Sequence, residues 1–493
     1  MKKKVKYWYP VCFVLLIGVI AFLAFYRLDV KYVDPWDEAR HGVNAYEMLN
    51  GGSLFQNTYL RQADYYNLKP PLSMWCIMLG MVVFGNSVFA LRFYSAFCYC
   101  VLAVCAGLFL RRYGKAESLL GVAFLAVNTT AFQAHMIRAG DADSLFVLLF
   151  TLSMLCMMKI PEQKYNLYLC GLFFSMAFLT KSYHAGVIAV IGGLYLILTG
   201  QIKRLGVKNW LLFLLSILVP ILLWAVPRML VDKTVFFQKM WETDVLGRAD
   251  GTLQNNIAPF AYYFEYFLGA SSGKVTAYLC AFVICLIGLF VFSKSFTWKN
   301  RENYLGWVLW IFVPALAFSL VQNKLLWYMY PVLIPLLLAA GVFAGRIIKS
   351  GKIVPWLRVV FASLVLLVLL YYTKGIVDTI HNQGGNEFQQ LLCKVAQNEE
   401  YKGCKVFVDY GLREDGTLRS DWEQQDVFVA EIYGDFECVQ GGFTELILKS
   451  TYEGKKGLLF VGKEVCEEYG SVDVDESKVL EETENYRVYL ISY

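Results

Sequence analysis

Charged side chains are scarce in this chain: Asp, Glu, Lys and Arg make up only 17% of its 493 residues, whereas a soluble domain carries roughly a quarter. This scarcity excludes an ordinary soluble protein. Hydrophobic residues reach 57% and lie in blocks about 20 residues long, the length that crosses roughly 30 Å of hydrocarbon. The composition predicts a polytopic α-helical membrane protein. The net charge of +5 indicates no nucleic-acid partner, because the basic residues lie between the apolar blocks.

Several chemical signatures are also missing. The sequence contains no C-x-x-C pair of the kind that binds a metal and no P-loop or Rossmann fingerprint, so it predicts neither a cysteine metal centre nor nucleotide chemistry. The chain starts with the basic segment MKKKVKYWYP, and the first apolar run comes next. No small-residue cleavage site follows that run. We therefore interpret this run as a retained first span with a cytoplasmic N-terminus, rather than as a signal peptide.

The basic loops between the later apolar blocks predict the membrane topology. The block Leu72–Phe84 is too short to cross and fits an interfacial or re-entrant helix. If it stays outside, the strongly basic loops all lie on the side of the N-terminus, as cytoplasmic loops should. About 11–13 transmembrane helices, with external juxtamembrane helices and with the C-terminus outside, are then expected. The blocks after the first begin near Leu72, Leu91, Leu119, Leu145, Leu167, Ala185, Trp210, Val275, Tyr304, Leu326 and Val354.

Two domains follow from this topology. We expect residues 1–373 to form the transmembrane domain, with an external catalytic loop at residues 27–90, and residues 374–493 to form a small extracytoplasmic α/β domain. The tail contains the strand-like runs KVFVDY, DVFVAEIY, GLLFVG and YRVYLISY. Its cysteines lie in an oxidising compartment, where three pairings are open: Cys393, Cys404, Cys438 and Cys466.

Ionisable residues gather at the predicted external turns. Such groups are costly at membrane depth and usually line a cavity with a partner; cations there suit a phosphate group and a carboxylate suits a general base. Singly, each motif has an ordinary explanation, such as an acidic first helical turn for WDEAR or a rigid turn for KPP. Their joint occurrence on one side favours a functional cavity, lined by Asp37, Glu38, Arg40, His41, Lys69, Arg138, Asp141, Asp143, Lys181, His184, Arg248, Lys324 and Tyr328.

Six motifs in order carry a family resemblance between about residues 30 and 345: DEARHGVNAYEML, LKPPLSMW, ALRFYSA, RAGDADSLF, AFLTKSYHAG and NKLLWYMYPVLIP. With them the chain resembles the dolichyl-phosphate-mannose protein mannosyltransferase superfamily. The similarity is to its bacterial branch, which includes the transferase that puts aminoarabinose on lipid A. The resemblance implies a C-type glycosyltransferase that uses a polyprenyl-phosphate sugar at the outer face of the plasma membrane.

The resemblance also implies roles for individual residues. Asp37 matches the general base for the acceptor hydroxyl, Glu38 shapes the same site, and Asp143 matches a further acidic residue of the family. The donor phosphate would be bound by Lys69, Arg248, Lys324 and Tyr328, and the remaining cavity residues would be Arg40, His41, Arg138, Asp141, Lys181 and His184. A single inverting displacement is expected, since a polyprenyl phosphate is a fair leaving group.

Three departures from the family pattern limit what it implies. Leu68 replaces the acidic residue usual before the KPP lysine, TKSYHAG replaces TKGPVG, and Asp141 is an addition. The histidines are scattered. The sequence therefore identifies no certain cofactor, and a divalent metal stays an open alternative without support, so we carry over no requirement for one.

Other functions remain open. A transporter or flippase for lipid-linked sugars would show inverted repeats with broken helices, and the polar motifs here have no matching second half. An oligosaccharyltransferase would carry a WWD-type motif in the tail, which is absent; a glycan polymerase is a further possibility. The sugar is open, and so is the acceptor, which lipid A, a cell-envelope glycan or a protein would each satisfy.

Overall fold

The structure is a computed structural model that describes residues 7–247, 257–270, 272–442, 456–468 and 479–492. Most of this part of the chain is helical. The helices are α1 (Trp8–Phe25), α2 (Asp37–Asn50), α3 (Leu72–Phe84), α4 (Val88–Leu110), α5 (Lys115–Leu125), α6 (Thr129–Gln133), α7 (Asp143–Met157), α8 (Asn166–Lys181), α9 (Gly186–Thr199), α10 (Val207–Asp232), α11 (Val235–Trp241), α12 (Tyr262–Phe267), α13 (Ala277–Phe292), α14 (Leu305–Leu320), α15 (Tyr330–Lys349), α16 (Pro355–His381), α17 (Glu387–Val395), α18 (Gln424–Gly434) and α19 (Lys463–Glu468). The strands are β1 (Thr58–Tyr59), β2 (Gln62–Ala63), β3 (Lys405–Asp409), β4 (Glu437–Cys438), β5 (Lys456–Gly462), β6 (Val479–Glu482) and β7 (Tyr486–Ser492).

The apolar blocks form helices that suit a membrane. Seven helical segments of the described chain are long and apolar enough to cross a bilayer, and α3, α7 and α14 are shorter apolar helices. In the most apolar stretches of α10 and α16, only 6% and 11% of the residues are buried inside the protein. Apolar side chains left exposed in this way are those expected to face hydrocarbon. The predicted multi-span helical fold is confirmed, and the short predicted block is α3, with the same bounds.

The chain divides into two compact units. The first unit consists of Met1–Tyr26, Leu68–Ser73 and Phe93–Asn382, and it holds most of the long helices. Within it, α15 packs against α5, α13 and α14, and α8 packs against α7 and α10. Helices α15 and α5 lie close together where Gly341 faces Gly121. A Cβ atom added to Gly341 would lie only 2.4 Å from the backbone of Gly121. Small residues of this kind let apolar helices approach closely without a hydrophobic driving force.

The second unit consists of Arg27–Asn67, Met74–Arg92 and Gln383–Tyr493. Its five-stranded sheet has the order β4-β3-β5-β7-β6, with β3 parallel to β4 and β5, and with β7 antiparallel to β5 and β6. The predicted small C-terminal domain with a sheet is therefore confirmed. Helix α18 packs against both α17 and α2, so the first loop after α1 and the tail of the chain form one unit. The predicted domain limits at residues 373 and 374 stay a prediction.

One predicted strand is wrong. The run DVFVAEIY lies in helix α18, which ends where Asp435 adopts φ +50°. An apolar run buried on every side has no polar face to reveal its period, and here Val427, Phe428, Val429 and Ala430 are all buried. The other three strand-like runs are β3, β5 and β7. Cys393 and Cys438 are free thiols in the described part of the chain, and the side chain of Cys466 lies outside the described residues.

Candidate functional site

A residue with a strained backbone conformation directly precedes the acidic first turn of α2. Trp36 has φ +68° and ψ −110°, a conformation that a residue with a side chain rarely adopts. Its carbonyl oxygen accepts the first helical hydrogen bond from the Arg40 N–H at 2.8 Å. Asp37 and Glu38 follow it in the first turn, where carboxylates interact favourably with the helix dipole. Asp37 is half-buried, whereas Glu38 is only 1% exposed.

Glu38 is held by an arginine from helix α4. The Arg92 guanidinium, fully buried, donates to the Glu38 carboxylate oxygens at 2.6 and 2.8 Å. The Asp34 N–H donates to the same carboxylate at 2.9 Å. Arg92 also donates to three carbonyl oxygens of the preceding loop, those of Leu28, Lys31 and Tyr32, at 2.8 to 3.0 Å. A bidentate ion pair of this kind fixes geometry strongly, so it holds the backbone on either side of Trp36.

Two other predicted residues of α2 bind within their own unit. Arg40 donates to both carboxylate oxygens of Asp64 at 2.8 Å, and its guanidinium lies 3.4 Å from the centre of the Tyr59 ring. Burial alone would raise the pKa of Asp64, but the hydrogen bonds and charge of Arg40, with the Asn44 amide, hold that pKa below its ordinary value. His41 is buried, with Nδ1 2.7 Å from the carbonyl oxygen of Asp37.

A buried ion pair lies in the first unit. The Lys181 ammonium, at the end of α8, donates to Oδ1 of Asp143, the first residue of α7, at 2.5 Å. Their side chains are 7% and 2% exposed. Oδ2 of Asp143 has no hydrogen-bond partner in the described part of the chain. Because a buried charge needs its partner, the geometry indicates that Asp143 fixes the position of Lys181.

The loop before α7 carries a second pair. His135, with φ +53°, has Nδ1 2.7 Å from Oδ2 of the fully buried Asp141, and its ring stacks on Trp327 at 3.7 Å. Arg138 in the same loop donates to the carbonyl oxygens of Leu23 and Ala24 at 3.1 and 3.0 Å. Asp141, the addition to the family pattern, therefore has a definite partner, and Arg138 ties the loop to α1.

The remaining predicted residues lie at turns of the first unit. Tyr328 is buried, with its ring 5.0 Å from that of His184 and 5.5 Å from the Lys181 ammonium. Lys324 is 5% exposed and donates to the carbonyl oxygen of Val321 at 2.5 Å. Lys69 is half-buried just before α3. Two turns that are far apart in sequence thus come together, one with Lys181 and His184 and the other with Tyr328.

Two residues that organise these clusters, Arg92 and Trp327, have no role predicted from the sequence. Arg92 was part of the quoted motif ALRFYSA, and a lone arginine in an apolar helix is the signal that would have found it. Trp327 carried no such signal, since an aromatic residue beside an apolar run is ordinary. Arg248 lies outside the described residues. The catalytic and binding roles of all the candidates stay predictions.

The fold and the clusters define a class: a multi-span membrane protein with ionisable groups collected at the turns between its helices. Residues 68–225 match the sequence model of a family described as dolichyl-phosphate-mannose-protein mannosyltransferase. The resemblance inferred from the six motifs is confirmed.

More particular matches are to proteins named undecaprenyl phosphate-alpha-4-amino-4-deoxy-L-arabinose arabinosyl transferase. That of Enterobacter sp. (strain 638) is 24% identical over 72% of this chain and 64% of its own length. A Pseudomonas fluorescens relative of the same name is 27% identical over 68% and 60%, and a Yersinia pestis relative is 26% identical over 81% and 71%. The matched region thus spans less than two thirds of the first two relatives.

The fold has a counterpart among solved structures. ArnT from Cupriavidus metallidurans bound to undecaprenyl phosphate superposes with a TM-score of 0.71, covering 99% of this chain and 98% of that one at 14% identity. Its apo state gives a TM-score of 0.67. At this identity the match establishes a common fold. The chain is thus similar in sequence to proteins named arabinosyl transferases, and similar in fold to ArnT.

Proposed function

We propose that this protein is an integral membrane glycosyltransferase that moves a sugar from a polyprenyl phosphate, such as undecaprenyl phosphate, to an extracytoplasmic acceptor. The relatives' names and the shared fold support this class of reaction. The basic loops support a cytoplasmic N-terminus and an extracytoplasmic C-terminal domain in the plasma membrane. Lipid A, an envelope glycan and a protein hydroxyl are the acceptors to be distinguished.

The observation that carries the proposal is the difference between two adjacent carboxylates. Glu38 is buried and engaged by Arg92, whereas Asp37 is half-buried at the start of α2. A general base must reach the hydroxyl from which it takes a proton, and a carboxylate closed off by a guanidinium does not. We therefore assign the base to Asp37 and give Glu38 the role of positioning it.

The proposed reaction is a single displacement. Asp37 accepts the proton of the acceptor hydroxyl while the oxygen of that hydroxyl bonds to the anomeric carbon of the sugar. The bond from that carbon to the phosphate oxygen breaks, and the polyprenyl phosphate leaves with the electron pair. Lys69, Lys324 and Tyr328 are the described residues proposed to stabilise its charge, because cations and hydroxyl donors aimed at developing negative charge lower the barrier.

The test is transfer by membranes that carry wild-type protein or Asp37→Asn, which keeps the shape of the side chain but cannot act as a base. Radiolabelled undecaprenyl-phosphate sugars would be offered with cell-envelope acceptors. We expect Asp37→Asn to lose about 10²–10⁴-fold of the rate while it still binds undecaprenyl phosphate. The matched control is Asp34→Asn, which removes a nearby carboxylate paired with Lys31 and should retain transfer.

The results separate the alternatives. Equal rates for wild type and Asp37→Asn would remove Asp37 from the chemistry. Movement of the lipid-linked sugar across the membrane without transfer would favour a flippase instead. The labelled product would identify the acceptor class.

A further inference from the structure

Two aromatic rings stand exposed beside the proposed base. Trp36 and Tyr66 are 61% and 57% exposed, and their ring centres lie 6.4 Å apart at an angle of 33°. Trp36 directly precedes Asp37 in sequence. Neither ring contributes to the reaction described above, and each keeps a large aromatic face that the described part of the protein does not bury.

Both rings are attached to backbone that is held in place. The strained conformation of Trp36 lies within the segment fixed by Arg92 and Glu38. The Tyr66 N–H donates to the Asp64 carboxylate at 2.8 Å, and Arg40 braces that carboxylate with two hydrogen bonds. Strain retained at a site points to function, and aromatic side chains on a fixed backbone bind with little loss of conformational entropy.

One charged residue lies beside each ring. The Arg40 guanidinium lies 5.1 Å from the centre of the Tyr66 ring, and Asp37 adjoins Trp36. A saccharide has the matching character, since its ring presents an apolar face of C–H groups and a rim of hydroxyls that bind charged or polar groups. A residue that only anchors the protein in a fluid membrane interface would need no strained and braced backbone.

We infer that Trp36 and Tyr66 form a platform on which a sugar ring of the acceptor lies, so that one of its hydroxyls is presented to Asp37. The inference rests on the proposed function and narrows it, because it selects saccharide-bearing acceptors over acceptors without a sugar. Trp36 and Tyr66 bind the acceptor and take no part in proton transfer.

The experiment measures binding rather than turnover. Full-length protein carrying Asp37→Asn would be purified in detergent, and binding of radiolabelled lipid A and of soluble envelope saccharides would be measured. Diacylglycerol serves as the probe that has a hydroxyl but no sugar, and undecaprenyl phosphate reports on the donor. Trp36 would then be replaced by Phe, Leu or Ala. The matched control is Trp356→Ala, which removes a tryptophan 65% exposed at the start of α16.

We expect the protein with Trp36 intact to bind at least one saccharide probe and to prefer it to diacylglycerol. Trp36→Ala and Trp36→Leu should weaken that binding about tenfold, as loss of an aromatic contact worth about 1.4 kcal/mol would do, and Trp36→Phe should stay within about threefold. Binding of undecaprenyl phosphate should not change. The control Trp356→Ala should bind as the parent protein does.

Three outcomes would overturn the platform. If Trp36→Leu binds as the parent does, the ring acts only as an apolar anchor at the lipid interface. If Trp36→Ala has no effect, or if none of the saccharide probes binds, no platform exists. Failure of the proposed function is a different result, because there wild type would transfer no sugar even though Trp36-dependent binding persists.

Discussion

Removing the Arg92 guanidinium should destabilise the protein more than removing its carboxylate partner. In Glu38→Gln the guanidinium keeps its bonds to the carbonyl oxygens of Leu28, Lys31 and Tyr32. In Arg92→Met those three carbonyls lose their donor, and the buried Glu38 charge loses its cationic partner and keeps only neutral donors such as the Asp34 N–H. The two variants therefore differ mainly by the three hydrogen bonds from Arg92 to backbone carbonyls. The difference between their free energies of unfolding measures what these bonds, here called the Arg92 clamp, contribute.

The magnitudes follow from these contacts. Breaking a buried ion pair from one side costs about 3–5 kcal/mol, and each lost carbonyl contact adds about 1 kcal/mol. We expect a loss of about 3 kcal/mol for Glu38→Gln, because Arg92 retains other acceptors, and about 6 kcal/mol for Arg92→Met. Arg92→Lys should lie between them, since one ammonium does not replace a planar fork. The double variant Arg92→Met with Glu38→Leu has no buried charge, so it should regain the stability lost to the unpaired Glu38 carboxylate. It should still be about 3 kcal/mol less stable than wild type, because the three carbonyls remain without the Arg92 donor.

The assay is thermal stability of the purified full-length protein in detergent, followed by size-exclusion chromatography of the material that remains folded. The expected order of stability is wild type, then Glu38→Gln, then Arg92→Met as the least stable. Arg112→Met is the control, because Arg112 pairs with Glu162 at the surface, where an ion pair contributes about 0–1 kcal/mol. Arg92→Met melting at or above Glu38→Gln would refute the reasoning.

Two further predictions concern the second unit. Gly42→Ala would place a methyl group 2.6 Å from the Phe428 ring, so α2 and α18 should separate at a cost of about 1–3 kcal/mol; Phe428→Leu in the same chain should restore part of the melting temperature, and an unchanged melting temperature for Gly42→Ala would contradict this packing. Burial raises the pKa of Asp426 from 3.8 to about 7, so the folded state holds a proton that the unfolded state has lost, and stability should fall as pH rises from about 4 to about 7. Asp426→Asn, which still offers an acceptor to the Tyr410 hydroxyl, should remove this decline when melting temperatures are compared at pH 5, 6, 7 and 8; a decline of equal size in the variant would count against it.

The sequence predicted well those features that depend on the composition of a continuous segment. The bounds Leu72–Phe84 of α3 were predicted to the residue, because a block of apolar side chains between KPP and GN has sharp limits. Strands β3, β5 and β7 were found for the same reason. The run DVFVAEIY was misassigned because the helix it forms is buried on several sides, so its sequence lacks the polar stripe that reveals a 3.6-residue period.

The partners of the ionisable groups could not be predicted in the same way. Lys181 and Asp143 were both named as candidates, but their pairing joins the end of α8 to the start of α7, and nothing in the sequence relates those two positions. The candidates were found because charge is rare in apolar surroundings. Their division into positioning and reacting groups depends on contacts between distant segments.

The tripeptide Trp36-Asp37-Glu38 shows how far that division goes. By sequence, Asp37 and Glu38 are equivalent acids at one helix start, and Trp36 is an ordinary aromatic beside them. Arg92, 54 positions beyond Glu38, gives the two acids different environments. It binds the Glu38 carboxylate and holds the strained backbone of Trp36, and Asp37 lies between these two residues in sequence. If that clamp orients the acid and the ring together, then Arg92→Lys should impair acceptor binding and transfer in parallel while binding of undecaprenyl phosphate persists. A loss of transfer with unchanged acceptor binding would mean that Arg92 acts on Asp37 alone.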